Sequence, residues 1–212
     1  MTPVLYDYWR SSASYRVRIA LNLLGIDYNA VNVDLLKKQH LDPDHLTRNP
    51  QGLVPALEID GEMLTQSLSI IEYLDETRSA GFLPDGAVDR ARVRSLSYII
   101  AMEIHPVCNL SVVADVMERS GGGDQVRSEW MQKYIRKGLL AFEAKLGDGK
   151  SGAFCHGDNP TMADICLIPQ IYNANRWGAD ISDLSRINAI VANCAAIEAF
   201  AAAHPDRIGP PS

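Results

Sequence analysis

Three short segments of the chain carry side chains able to do chemistry. The first is Arg10-Ser11-Ser12-Ala13-Ser14-Tyr15-Arg16, between an apolar run from Val4 to Tyr8 and the start of a helical pattern. A strand end leading into a helix N-terminus presents free N–H groups and the positive end of the helix dipole, which favour an anion. A serine hydroxyl there can donate to a thiolate or an oxyanion. The same serines suit simple helix capping, the reading that spacing alone favours. The second segment is Leu53-Val54-Pro55, at the start of a strand. Its proline fits an ordinary edge position, or a cis peptide that leaves the backbone groups of Val54 open to an extended peptide ligand. The third is Gln66-Ser67, which opens a helix. It offers a side-chain amide, a hydroxyl and helix N-terminal amides together, a receptor for a carboxylate, with capping as the alternative.

The elements that must position these segments follow from periodicity. Val4 to Tyr8 suits a short buried strand. Val17, Ala20, Leu21 and Leu24 recur at helical spacing, and Gly25 stops that helix. Val31, Val33 and Leu35 alternate with polar or small residues as a second strand, and a crossover of this length makes the pair parallel. Leu57 and Ile59 alternate with Glu58 and Asp60, and Asp60-Gly61 signals a tight hairpin. Ser67 or Ser69 starts the next helix, and Ser69-x-x-Glu72 has the form of a capping box. The order predicts a mixed four-stranded sheet covered by helices, with all three segments at one end of the sheet.

After the turn-rich stretch 79–86 the strand signals stop. Val93, Leu96, Ile100 and Ile104 form one helical face, and Met131, Ile135, Leu139, Phe142 and Leu146 form another. Gly121-Gly122-Gly123 separates the two as a flexible break, and further helices run from Thr161 to Asn175 and through the Ala-rich stretch to Ala203. Strands followed only by helices predict separate domains, over 1–82 and 87–212, with a frayed Gly209-Pro-Pro-Ser tail. Thr161-Met-Ala-Asp164 resembles an active-site motif but reads better as a capping box that starts a core helix. Arg16 and Arg18 are expected on the polar face of the first helix, in a structural role.

Composition narrows the function. The 212 residues carry 20 basic and 26 acidic groups, a net charge of −6, with no Lys/Arg block, which argues against nucleic acid as a partner. No apolar run reaches the ~20 residues of a membrane span, and the N-terminus lacks a signal-peptide pattern. Cys108, Cys155, Cys166 and Cys194 are scattered, with no C-x-x-C pair. They predict reduced thiols in a cytoplasmic protein and no metal site.

The segment Tyr8-Trp-Arg-Ser-Ser-Ala-Ser-Tyr-Arg-Val-Arg-Ile-Ala-Leu21 resembles the signature S-S-C-S-x-R-V-R-I-A-L of the zeta-class cytosolic glutathione transferases. The resemblance continues through Asn49-Pro50, Val54-Pro55, and Gln66-Ser67 with Ile70-Ile71-Glu72-Tyr73-Leu74. Further on it includes His105-Pro-Val-Cys-Asn109, Gly157-Asp-x-Pro-Thr161-Met-Ala-Asp164 and Ala203-His204-Pro205-Asp206-Arg207. It departs at Ala13, where the family usually has cysteine, so any role of that thiol is absent.

The resemblance implies an α/β thioredoxin-like N-terminal domain that binds glutathione, an all-α C-terminal domain that binds substrate, and a homodimer. By position, Ser11 and Ser12 would stabilise the glutathione thiolate, and Gln39 or His40 would meet the glycyl carboxylate. Val54 would pair with the cysteinyl backbone, and Gln66 with Ser67 would hold the γ-glutamyl carboxylate. His105 and Asn109 would approach the same cleft, although an interdomain role fits His105 equally. The implied reaction is cis–trans isomerisation of a dicarboxylic enone, maleylacetoacetate to fumarylacetoacetate, in tyrosine and phenylalanine breakdown. It proceeds by reversible thiolate addition to the C=C bond. Arg10 and Arg176 are the cations for the substrate's carboxylates, with surface ion pairing as the alternative for each. Isomerisation of maleylpyruvate, transfer of glutathione to small α-halo acids, and a non-catalytic binding role remain alternatives. The Asn109-Leu-Ser segment, which lacks an added arginine, favours the longer substrate over maleylpyruvate.

Overall fold

The computed structural model describes residues 1–210 and divides the chain into two compact units. The first comprises Met1–Phe82 together with the segment from Ile197 onward; the second is Leu83–Ala196. In the first unit, β1 (Val4–Asp7), β2 (Asn29–Asn32), β3 (Ala56–Ile59) and β4 (Glu62–Thr65) form one sheet in the order β2-β1-β3-β4. β1 and β2 are parallel, and β3 runs antiparallel to both β1 and β4. The central strands bury Leu5, Ala56, Leu57 and Ile59. The hairpin turns on Asp60 and Gly61, at φ +56° and +84°, the two positive values that a twist-matched two-residue turn requires.

β2 is shorter than the alternation of Val31, Val33 and Leu35 predicts. It lies at the sheet edge with all four residues exposed, Val31 by 42%. Beyond it, Val33 packs with Tyr8 and Val54 in a small cluster flanked by Tyr6, Trp9 and Leu35. Val33 N–H still donates to Asp7 C=O at 2.7 Å, and past that bond the apolar period records burial rather than strand pairing.

Helix α1 (Ser12–Leu23) ends as its sequence predicts. The N–H of Gly25 (φ +62°) donates to Asn22 C=O, and that of Ile26 donates to Leu21 C=O, the two bonds of a Schellman cap. α2 (Pro43–Arg48) is a short connecting helix. α3 (Ser67–Arg78) starts at Ser67, so Ser69 lies inside its first turn and the Ser69/Glu72 capping box is not formed. The expectation of Arg16 and Arg18 on a polar face is also corrected: both are buried. Arg18 escapes the cost of burying a lone charge because Asp7 accepts from its Nη1 at 2.8 Å through both carboxylate oxygens. α9 (Glu198–Ala202) and α10 (Pro205–Ile208) lie with the sheet in the first unit. Asn22 Nδ2 and Arg18 Nε, both on α1, donate to the carbonyls of Ala199 and Ala203. Pro211 and Ser212 of the expected frayed tail lie outside the described residues.

The second unit contains α4 (Ala87–Tyr98), α5 (Leu110–Ser120), α6 (Asp124–Lys145), α7 (Met162–Trp177) and α8 (Ser185–Ala195). Both predicted faces are buried, and the glycine run separates α5 from α6. From Ile99 to Ile104 the helix widens, and His105 N–H donates to Ile100 C=O five residues back at 2.9 Å. Apolar residues four apart fit an ordinary turn as well, so the widening left no sequence signal. Thr161 and Asp164 form the predicted capping box, and Asp164 also accepts from Cys155 N–H at 2.8 Å. Arg92 clamps the 146–157 loop: it pairs with Asp148 at 2.6 and 2.8 Å and donates to Cys155 C=O at 2.7 Å.

Candidate functional site

In the first unit, Ser11 is the N-cap of α1, and its Oγ accepts from Ser14 N–H at 3.2 Å. Capping and thiolate binding are therefore compatible. The lone pair serves the cap, and the hydroxyl proton is left to donate to an anion at the helix N-terminus. Ser12 is the first helical residue, and both serines are half-buried. Arg10 precedes them, with Nη2 donating to Tyr8 Oη at 3.2 Å and its guanidinium 4.7 Å from the centre of the Trp9 ring.

The other two segments are stitched to this turn. Val54 packs on Tyr8, the Val54-Pro55 peptide is cis, and Val54 lies just outside the β3 ladder. Arg16, one turn into α1, donates to Ser67 Oγ at 3.2 Å, so this hydroxyl also keeps its own proton to donate. Gln66 holds φ +67° and ψ 111°, a backbone state that costs a non-glycine residue about 1–3 kcal/mol and that clusters at ligand sites. Its Nε2 donates to Gln51 Oε1 at 2.7 Å. Gln51 had no signal of its own in the sequence, because only the folded loop brings it to Gln66.

Gln39 and His40, offered as alternatives for one role, differ in the structure. Gln39 Oε1 accepts from Asp34 N–H at 2.7 Å, which commits that oxygen to the loop. His40 Nδ1 is buried without a hydrogen-bond partner among the described residues. Burial first, and then the nearby His45, hold the His40 imidazole below its ordinary pKa.

In the second unit, Asn109 is the N-cap of α5, and its side-chain oxygen accepts from Ser111 N–H at 3.3 Å. His105 ends the widened helical segment and is half-buried. Arg176 is exposed in the last turn of α7, with its guanidinium 5.2 Å from the Trp177 ring centre. A cation there complements the negative end of the helix.

Cys155, Cys166 and Cys194 are buried and Cys108 is half-buried. Burial pushes the Cys108 thiol up to about 11 and those of Cys155 and Cys194 higher than normal. The first unit also supplies several groups able to meet an anionic ligand. They are a hydroxyl at a helix N-terminus, a second helix N-terminus beside an amide and a hydroxyl, and an imidazole nitrogen still lacking a partner.

Comparison with known proteins agrees. Residues 1–76 match the glutathione S-transferase N-terminal domain, and residues 111–204 match its C-terminal domain. The chain belongs to the glutathione S-transferase family, with a thioredoxin-like domain followed by an all-helical one. Within that family it is 64% identical over 208 residues to a maleylacetoacetate isomerase of Rhizobium meliloti (strain 1021), covering 98% of each chain. It is 44% identical to the maleylacetoacetate isomerase of Mus musculus, covering 97% of this chain and 93% of the mouse protein. A maleylpyruvate isomerase solved in its holo form, described as a bacterial zeta-class enzyme, is 39% identical with a TM-score of 0.93, covering 96% of this chain and 97% of that one. A maleylacetoacetate isomerase from Methylobacterium extorquens AM1, solved with malonate and glutathione, is also 39% identical with a TM-score of 0.93, covering 99% of this chain and 100% of that one.

Proposed function

We propose that the protein is a glutathione-dependent cis–trans isomerase that converts maleylacetoacetate to fumarylacetoacetate. The observation that carries this reading is the α1 N-terminus, where Ser11 caps the helix and keeps a proton to donate. Bound glutathione supplies a thiolate nucleophile for reversible addition to the substrate's C=C bond. The chain's part is to hold and tune that group. The Ser11 hydroxyl, with Ser12 beside it, and the α1 dipole lower the pKa of a thiol placed there. Val54 pairs with the peptide backbone of glutathione. Gln66, held by Gln51, and Ser67 receive the γ-glutamyl carboxylate, and His40 receives the glycyl carboxylate.

Arg10 and Arg176 each bind a carboxylate of the dianionic substrate, work for which the planar guanidinium is better suited than an ammonium. His105 and Asn109 contribute from the helical unit. The division into a glutathione-binding part within 1–82 and a substrate-binding part within 87–212 belongs to the same proposal. So do a homodimer, supported by the exposed apolar side chains Val88, Tyr98 and Met102, and a cytoplasmic location in tyrosine and phenylalanine breakdown. No described helix is long and apolar enough to cross a membrane.

The test is an absorbance assay of isomerisation on maleylacetoacetate and on maleylpyruvate, with and without glutathione. The expected result is turnover that requires glutathione and favours maleylacetoacetate. A preference for maleylpyruvate would shift the substrate assignment. No turnover of either would overturn the isomerase reading.

A further inference from the structure

The buried guanidinium of Arg18 reaches three acceptors at once. Its Nη1 donates to both oxygens of Asp7 at 2.8 Å, its Nη2 to Trp9 C=O at 2.9 Å, and its Nε to Ala203 C=O at 3.2 Å. The bond to Trp9 falls at a sensitive place. Ser11 N–H donates to Tyr8 C=O at 2.8 Å, which closes a four-residue turn with Trp9 and Arg10 at its centre. The peptide unit between two central turn residues is the one whose rotation interconverts the common turn types. Arg10 is not among the residues at positive φ, so the turn is in the form that places no strain on it. In the flipped form Arg10 would take a positive φ, and its guanidinium would leave the Trp9 ring and Tyr8 Oη.

We propose that Arg18 is a positioning residue: by holding the Trp9 carbonyl it fixes one form of the Tyr8–Ser11 turn, and with it the aim of the Arg10 guanidinium and the Ser11 hydroxyl. The proposal rests on the reading of Arg10 and Ser11 as ligand-binding groups. Asp7 is what allows a guanidinium to be buried here, and the C-terminal segment adds the third anchor through Ala203. Only the planar fork of arginine spans these acceptors together; a lysine ammonium is one point and cannot bridge Asp7 and Trp9 while reaching Ala203. The signature segment thus carries both the groups that meet the ligand and the group that aims them.

The test compares backbone amide spectra and kinetics of wild type and Arg18→Lys. The Arg10 and Ser11 amide signals are expected to shift and broaden while those of α6 stay in place. Turnover number is expected to fall roughly tenfold, with the Michaelis constant for glutathione within about threefold, because Val54, Gln66 and Ser67 are untouched. If Arg18→Lys does not fold, the double variant Asp7→Leu/Arg18→Met removes both charges together and is read the same way. Unmoved Arg10 and Ser11 signals, an unchanged turnover number, or a loss that falls wholly on the glutathione constant would overturn the proposal. Failure of the Ser11 reading shows separately, as Ser11→Ala enzyme whose bound thiol titrates like wild type.

Discussion

Replacing Asp164 by alanine removes one carboxylate that accepts three buried hydrogen bonds. Cys155 N–H, Thr161 N–H and Thr161 Oγ1 each donate to it at 2.8 Å, and Asp164 is fully buried. Each buried donor left without a partner costs about 1–3 kcal/mol, but the Thr161 hydroxyl can rotate to another acceptor. The loss also relieves the cost of burying the carboxylate, the cost that pushes its pKa upward against the hydrogen bonds from Cys155 and Thr161. The net expectation is a destabilisation of about 3 kcal/mol for Asp164→Ala. Asp164→Asn keeps one acceptor oxygen and is expected to lose about half as much, and Thr161→Val about 1 kcal/mol. Urea unfolding followed by circular dichroism gives the totals at constant m-value, and hydrogen exchange at the Cys155 and Thr161 amides localises them. A loss below about 1 kcal/mol for Asp164→Ala, or equal losses for alanine and asparagine, would refute the cooperative cap. The Michaelis constant for glutathione is expected to stay at its wild-type value, since the partners of Asp164 are Cys155 and Thr161, neither of them a proposed glutathione ligand.

Three further outcomes follow from local geometry. A Cβ added at Gly138 would overlap Ile104 Cδ1 and Cγ1, so Gly138→Ala is expected to lose about 1–3 kcal/mol in urea unfolding, part of it recovered by adding Ile104→Val. The Asp148 carboxyl is held down at about 2, chiefly by its hydrogen bonds from Arg92. That contribution is present above the unfolded carboxylate pKa and fades as pH falls toward 2; because Asp148 is 44% exposed, Asp148→Asn should lose under about 1 kcal/mol at pH 7 and flatten acid unfolding between pH 4 and 2. Gln66→Ala should raise the Michaelis constant for glutathione about tenfold at near-constant turnover number, with Gln51→Ala giving a smaller rise in the same direction; steady-state kinetics decides.

Much of this was legible in the residues. Asp60-Gly61 fixed the hairpin because few residues accept two successive positive φ values, and Gly25 fixed the end of α1 for a related reason. Thr161 and Asp164 announced their capping box by spacing alone. The three candidate segments stood out because free backbone groups occur at strand and helix ends. What the residues concealed depends on tertiary burial. Val33 looks like strand and is a loop residue under Tyr8, while Arg16 and Arg18 look like a polar face and are buried because Ser67 and Asp7 await them. Gln51 acquires its role only through the fold. Ser69 shows the opposite error, a capping pattern with no helix end to cap.

The central claim is that Ser11 lowers the pKa of a thiol bound at the α1 N-terminus. The most direct measurement is the ultraviolet thiolate absorbance of enzyme-bound glutathione as a function of pH, for wild type, Ser11→Ala and Ser12→Ala. A hydrogen bond to a charged group contributes about 1.5–3 kcal/mol, so Ser11→Ala should raise the midpoint by about 1–2 pH units, with Ser12→Ala well below that. An unchanged midpoint in Ser11→Ala, with glutathione still bound, would contradict the account and leave that serine as a helix cap alone.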